Sequence, residues 1–327
     1  MRKAALCGAA DSSNVLQAEM RYCDLHCDAL TQTGKRQVTK ENLQAGECAL
    51  QCFAAFVSSR EDRFSSALSL CDRFDELIAR EGYRPVRSAS DFAEGELCAM
   101  LTVEEGGAIE GSLERLRALY ARGVRMLTLT WNYPNEIGYP TFPDYEGLLQ
   151  GRVSPTARET ERGLTPFGVS AVEEMNALGM IVDVSHGSDK LIEDVARVSK
   201  KPFAASHSNA NAVCNWARNL QEKHIRSIAQ SGGVVGLNFC ADFLSPDASA
   251  EGQKQAILAH AQAIIDAGGE DVLAIGSDFD GIPPNPFLKN PAHMPNLAQA
   301  LAKKFGSAVA EKICYKNAVR FLRDSLR

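Results

Sequence analysis

The chain has 327 residues, 45% of them hydrophobic and 23% charged, with a formal net charge of −6 at pH 7. That balance suits a soluble globular protein with a sizeable core, and the negative sign argues against nucleic acid or an anionic membrane as a partner. Ten cysteines are scattered along the chain without a CxxC spacing, several inside apolar runs such as Cys48-Ala49-Leu50-Gln51-Cys52-Phe53. They read as reduced core residues of a cytoplasmic protein and not as a disulfide framework.

From the N-terminus, Met1-Arg2-Lys3 opens a weak apolar stretch, Ala4 to Ala10, that Asp11 ends, which makes a poor secretory signal. No window approaches the roughly 18 apolar residues of a membrane span. Short apolar runs then alternate with longer amphipathic stretches, the pattern of a βα protein. The expected strands are 21–27, 49–57, 97–103, 124–130, 180–184, 203–206, 234–238 and 272–275, eight in number. Helical periodicity lies between them at 64–80, 113–122, 169–178, 189–198, 223–230 and 253–267, with 297–305 and 308–322 closing the chain. Gly82, Gly123, Gly179 and Gly268 stand where helices stop. Eight strands and eight helices in 327 residues fit one α/β unit, a (β/α)8 TIM barrel. Residues 1–327 are thus expected to form a single barrel domain with an N-terminal extension, 1–20. Two proline-bearing segments, 131–165 and 281–295, break the rhythm and are expected to be active-site loops.

The expected strand ends carry an unusual set of side chains. Strand one runs into Asp24-Leu25-His26-Cys27-Asp28, and alternation turns Asp24, His26 and Asp28 to one side. Strand three runs into Glu104-Glu105-Gly106-Gly107, strand five into Asp183-Val184-Ser185-His186, and strand six into Ser206-His207-Ser208-Asn209. Strand eight runs into Gly276-Ser277-Asp278-Phe279-Asp280-Gly281. Three of the six histidines fall at these ends, beside converging carboxylates. Burying that many ionisable groups is costly without a metal to pair them. Imidazole and carboxylate without thiolate is the ligand set of a hydrolytic Zn²⁺, Mn²⁺ or Fe site, and a carboxylate between two histidine-bearing sites would bridge a two-metal centre.

Taken in order, the DxHxD of Asp24–Asp28, the EGG of Glu105–Gly107, the LGMxxDxSH ending in His186, the SHSN of Ser206–Asn209, the Arg218-Asn219 pair and the GSDFDG of Gly276–Gly281 resemble the renal (membrane) dipeptidase family of zinc metallopeptidases. The resemblance runs from Asp24 to about Arg320. It implies two zinc ions per chain, one on His26 and Asp28, the other on His186 and His207, bridged by the glutamate directly before the paired glycines, Glu105. It also implies that Arg218 grips the substrate's C-terminal carboxylate, and that Asp278 meets the amino group or handles protons. Asp24 would orient ligands from behind. The implied reaction is hydrolysis of a free dipeptide's peptide bond by a metal-activated hydroxide. One position departs: mammalian members carry a histidine after strand four that helps stabilise the reacting carbonyl, where this chain has Trp131, followed by Asn132 and Tyr133. An indole N–H can donate but cannot take up a proton, so Trp131 or a neighbour supplies that contact, or the metals do.

Two other readings stand beside it. One is a different binuclear amidohydrolase acting on a small amide or lactone, disfavoured because a Glu stands where many of those use a modified lysine. The other is a non-catalytic barrel homologue. His224 and His260, in helical patterns, read as surface or structural, and His293 lies in the loop after strand eight. Partners beyond a small dipeptide are not expected, and a homodimer stays open.

Overall fold

The computed structural model describes residues 20–93 and 95–326. The expected extension 1–20, Met20 apart, therefore lies outside the described residues, as do Cys7 and the Ala4–Ala10 stretch. The strands are β1 (Tyr22–Asp24), β2 (Cys48–Phe56), β3 (Arg84–Pro85), β4 (Cys98–Glu104), β5 (Met126–Thr128), β6 (Ile181–Asp183), β7 (Ala204–Ala205), β8 (Val234–Leu237) and β9 (Leu273–Ile275). All pair in parallel in the order β2-β1-β9-β8-β7-β6-β5-β4-β3, and β2 pairs with β4 to close the ring. The result is the expected α/β TIM barrel, with each of the eight expected strands present. β3 is the addition: Arg84 and Pro85 pair with Cys98 and Ala99 at the start of β4, on the edge that β5 takes over from Thr102 onward. Two residues, one a proline, leave no periodicity to read.

Alternation along β4 decides what reaches the interior. Ala99, Leu101 and Val103 join the cluster that holds Ala67, Cys71, Phe74 and Leu77 of helix Arg63–Glu81. That leaves Met100, Thr102 and Glu104 on the inner face. Register then sets Glu104 beside Phe56 on one side and Thr128 on the other, with Asp183 next to Thr128, so a polar layer crosses β4, β5 and β6. The ring is tight near β7. Backbones of Gly236 and Gly276 press on the Ser206 carbonyl, where any side chain would collide.

The helices begin where their caps say. Thr165 Oγ1 accepts from Gly168 N at 2.9 Å ahead of Pro166–Leu178, with proline in the first turn. Ser188 Oγ accepts from Leu191 N at 2.9 Å ahead of Asp189–Val198, which buries Leu191, Ile192 and Val195. The stop expected at Gly268 falls one residue later. Gly268 ends the helix Ala250–Gly268, its missing side chain making room for Val272 and Ala229, and Gly269 takes φ +86°. The last helical stretch is not continuous: a π turn, Lys312–Lys316, separates Ser307–Glu311 from Asn317–Ser325. Asn317 ties it to the barrel by donating to the carbonyls of Glu270 and Leu273. No helix among the described residues is long and apolar enough to cross a membrane.

Candidate metal centre and active site

Side chains from the C-terminal ends of five strands converge at the mouth of the barrel. His26 Nε2 lies 3.6 Å from Asp28 Oδ2, 3.5 Å from Glu104 Oε2 and 3.9 Å from Asp278 Oδ1. On the other side of Glu104, its Oε1 lies 3.1 Å from His186 Nε2 and 3.5 Å from His207 Nε2. The two ligand-type groups that result, His26–Glu104–His207 and His26–Asp28–Asp278, share His26 and are buried throughout.

The tautomers of two histidines follow from their neighbours. Asn132 Oδ1 can only accept, so at 2.8 Å from His186 Nδ1 it fixes the proton there. Ser206 Oγ gives its own proton to Asp183 Oδ2 at 2.6 Å, so at 2.8 Å it accepts from His207 Nδ1. Asp183 is held in turn by Thr128 Oγ1 and by the backbone N–H groups of Ser185 and Ser206. Both Nε2 atoms are therefore lone-pair donors aimed at one place, 3.0 Å apart. Two lone pairs cannot bond each other, whereas a cation satisfies both. His26 Nε2 and Asp28 Oδ1 are likewise buried without a hydrogen-bond partner among the described residues. The donor set fits divalent ions.

The charges point the same way. Burial pushes Glu104 up to about 7 and Asp278 up to about 6; His26 opposes both shifts, and Asp28 adds to them. Burial works against a charge on His26, but Glu104 and Asp28 outweigh it and hold the imidazole well above its ordinary value. Burial, with His26 and Arg218 nearby, holds His186 and His207 well below theirs. Crowded carboxylates that draw a proton onto His26, beside the neutral imidazoles of His186 and His207, are what a cation relieves.

Glu105 is the expected bridge, but the carboxylate that lies between His26 and the His186–His207 pair is that of Glu104. Glu105 is the extra residue in the turn after β4, with φ +88°, and its carboxylate is turned away. It accepts from Gly107 N at 2.7 Å, Trp131 N at 2.9 Å and Asn135 Nδ2 at 2.6 Å, and so locks the start of the following loop. His186 and Asp278, each three residues past its strand, also sit at positive φ, 65° in both. Such strain outside glycine is kept where the surroundings fix a side chain for a purpose. Asp24 lies beneath His26: its carboxylate accepts from Ser277 N at 2.8 Å, Ser277 Oγ at 2.5 Å and His26 N at 3.3 Å.

The family model for membrane dipeptidase, peptidase family M19, matches residues 9–326. The chain belongs to the membrane dipeptidase family. A crystal structure of a metallopeptidase of that family, dipeptidase AC, superposes with a TM-score of 0.83 at 28% identity, covering 94% of this chain and 99% of that one. A metallopeptidase from Rhodobacter sphaeroides, bound to a phosphinate mimic of the dipeptide L-Ala-D-Ala, gives 0.81 at 26% identity, with coverage of 94% and 99%. An uncharacterised protein from the pqqA 5′ region of Klebsiella pneumoniae is 36% identical over 235 residues, 71% of this chain and 83% of that one. The chain is thus similar to metallo-dipeptidases over nearly its whole length.

Around the metal-type cluster of this family member lie the other expected residues. Arg218 is 4% exposed; its Nη2 donates to the His207 carbonyl at 3.3 Å, its Nε has no partner among the described residues, and Phe243 lies 5.7 Å from the guanidinium. Asp278 Oδ2 accepts from Asn238 Nδ2 at 2.9 Å, which leaves Oδ1 on the His26 side. Trp131 is half-buried, its ring 6.0 Å from that of His186 and packed on Phe56 and Tyr145. A cavity of about 280 Å³ opens beside it, lined by Val57, Arg60, Arg63 and Tyr133 among others. A second cavity, about 750 Å³, lies elsewhere, against Lys254, Phe287 and Lys303. His260 is structural: Nδ1 accepts from Ala210 N at 3.1 Å and Nε2 donates to the Leu244 carbonyl at 3.0 Å. His224 is also buried, near Asp189, and His293 pairs with Asn290 in its own turn. Asn132, Asp183, Ser206 and Asn238 are supports to which strand-end reading assigns no such role, because their partners come from other strands.

Proposed function

We propose that this chain hydrolyses the peptide bond of free dipeptides with two divalent ions, zinc by ligand type. The observation that carries the reading is the division of Glu104, one oxygen toward His26 and the other toward His186 and His207. His26, Asp28 and Glu104 would hold one ion, and Glu104, His186 and His207 the other. When bound, the ions supply a water of lowered pKa and a Lewis acid for the scissile carbonyl. The chain's own groups do the rest. Arg218, buried with Nε unpartnered, offers a fork to a carboxylate, which supports its gripping the substrate's C-terminus. Asp278, with Oδ1 left open by Asn238, receives the substrate's amino group or carries a proton to the leaving amine. Trp131 walls the site beside His186, in the place of the proton-bearing imidazole of mammalian members. The dipeptide mimic in the Rhodobacter sphaeroides relative supports a substrate of this size. Nine free thiols among the described residues support a reducing, cytoplasmic setting.

The two ends of the site measure substrate length. Unblocked dipeptides should be cleaved at least about 30-fold better than tripeptides, N-acetyl dipeptides or dipeptide amides, since a missing end leaves a buried charge unpaired at roughly 2–5 kcal/mol. Arg218→Ala should remove most activity on free dipeptides and narrow the gap to the amides. Equal turnover of tripeptides or amides by the unaltered protein would move the reading to a general amidohydrolase.

A further inference from the structure

Among the described residues Arg218 has little of its own to aim it: one long hydrogen bond from Nη2 and none from Nε. Its direction is inherited from the backbone on either side, and that backbone is gripped by a residue 60 positions upstream. Arg158 Nη1 donates to the carbonyl of Ala217 at 2.6 Å and to that of Asn219 at 2.9 Å, so one nitrogen straddles Arg218. The rest of the guanidinium is locked onto Asp189, Nε at 3.1 and 3.2 Å from its two oxygens and Nη2 at 2.5 Å. Asp189 opens the helix that follows His186 and donates its N–H to the Glu159 carbonyl at 3.1 Å. The same loop adds two further ties, Pro155 O accepting from Ala217 N at 2.8 Å and Thr141 Oγ1 donating to Ala217 O at 3.1 Å.

We propose that Arg158, fixed by Asp189, is a positioning residue that sets the orientation of Arg218 and hence recognition of the substrate carboxylate. The inference rests on the dipeptidase reading of Arg218. Lysine in its place would keep the charge opposite Asp189 but lose the planar fork that reaches the carboxylate and both carbonyls together. The contacts of Arg158 are with Asp189, Ala217 and Asn219, and not with the residues proposed to hold the ions, so its loss acts on binding and leaves the chemistry in place.

The test compares zinc-loaded wild type with Arg158→Lys, Arg158→Ala, Arg218→Ala and the Arg158→Ala/Arg218→Ala double variant, on L-alanyl-L-alanine. Both Arg158 variants should raise KM roughly tenfold with kcat within about twofold, the signature of lost uniform binding. The double variant should be no worse than Arg218→Ala alone, and guanidinium ion added at millimolar concentration should lower the KM of Arg158→Ala but not that of wild type. Should Arg158→Ala fail to fold, Arg158→Lys carries the same comparison. A fall in kcat that tracks zinc content or thermal midpoint in both variants, or additive effects in the double variant, would make Arg158 a mere structural brace and overturn the proposal. Silent Arg158 variants beside a damaged Arg218→Ala overturn it alone; a silent Arg218→Ala overturns the carboxylate clamp as well.

Discussion

The Nε2 atoms of His186 and His207 face each other at 3.0 Å with both lone pairs turned inward, because Asn132 and Ser206 hold the protons on the opposite ring nitrogens. Asn132→Leu releases one of those locks. His186 is then free to adopt the other tautomer or rotate, and zinc affinity should fall by roughly 10- to 100-fold. Competition with a chromophoric chelator reads this directly. Unchanged affinity would mean that Asn132 does not set the tautomer.

The neighbouring glutamates should separate cleanly. Glu104→Ala should cut activity by roughly a thousandfold and leave the protein holding fewer than two ions. Glu105→Ala should keep both ions and instead lower stability by on the order of 3 kcal/mol, since three hydrogen bonds to its carboxylate are lost and buried donors stay behind. Metal analysis beside denaturant unfolding distinguishes them, and loss of metal in the Glu105 variant would return the bridge to that residue.

His260 makes stability depend on acidity. Burial drops its pKa from 6.5 to about 4, and its Nδ1 must stay bare to accept from Ala210 N. The folded value lies below the unfolded one, so the unfolded chain binds the proton first as pH falls. Stability is therefore complete above about pH 6.5 and drains away between 6.5 and 4, by about 3 kcal/mol for this residue. His224, shifted to about 4 mainly by burial, adds to the loss over the same window. Unfolding free energies for wild type and His260→Gln should differ in slope across that window and run parallel above pH 7.

Much of the barrel was legible because its strands are apolar runs bounded by glycines and its ligand-type residues cluster at their ends. His26, Asp28, His186, His207 and Asp278 come together as strand-end reading expects. The Glu104–Glu105 choice shows where that reading stops. Motif spacing favours the residue touching the glycines, but parity along β4 puts Glu104 with Met100 and Thr102 on the inner face and turns Glu105 into a loop clasp. That parity is a sequence-level signal, readable once the outward Leu101 and Val103 are recognised. The tautomer locks and the Arg158 brace were not legible, since Asn132, Ser206 and Arg158 act on partners brought near only by barrel closure.

Asp24 and Ser277, hydrogen-bonded across 253 residues, join the first strand to the last, and the donor cluster sits directly on that seam. A chain emerging from a ribosome presents His26 and Asp28 some 250 residues before Asp278. The proposed site is therefore complete only once the strand that carries Asp278 has been made and paired with the first. An ion arriving earlier would meet only a partial, weaker set of donors.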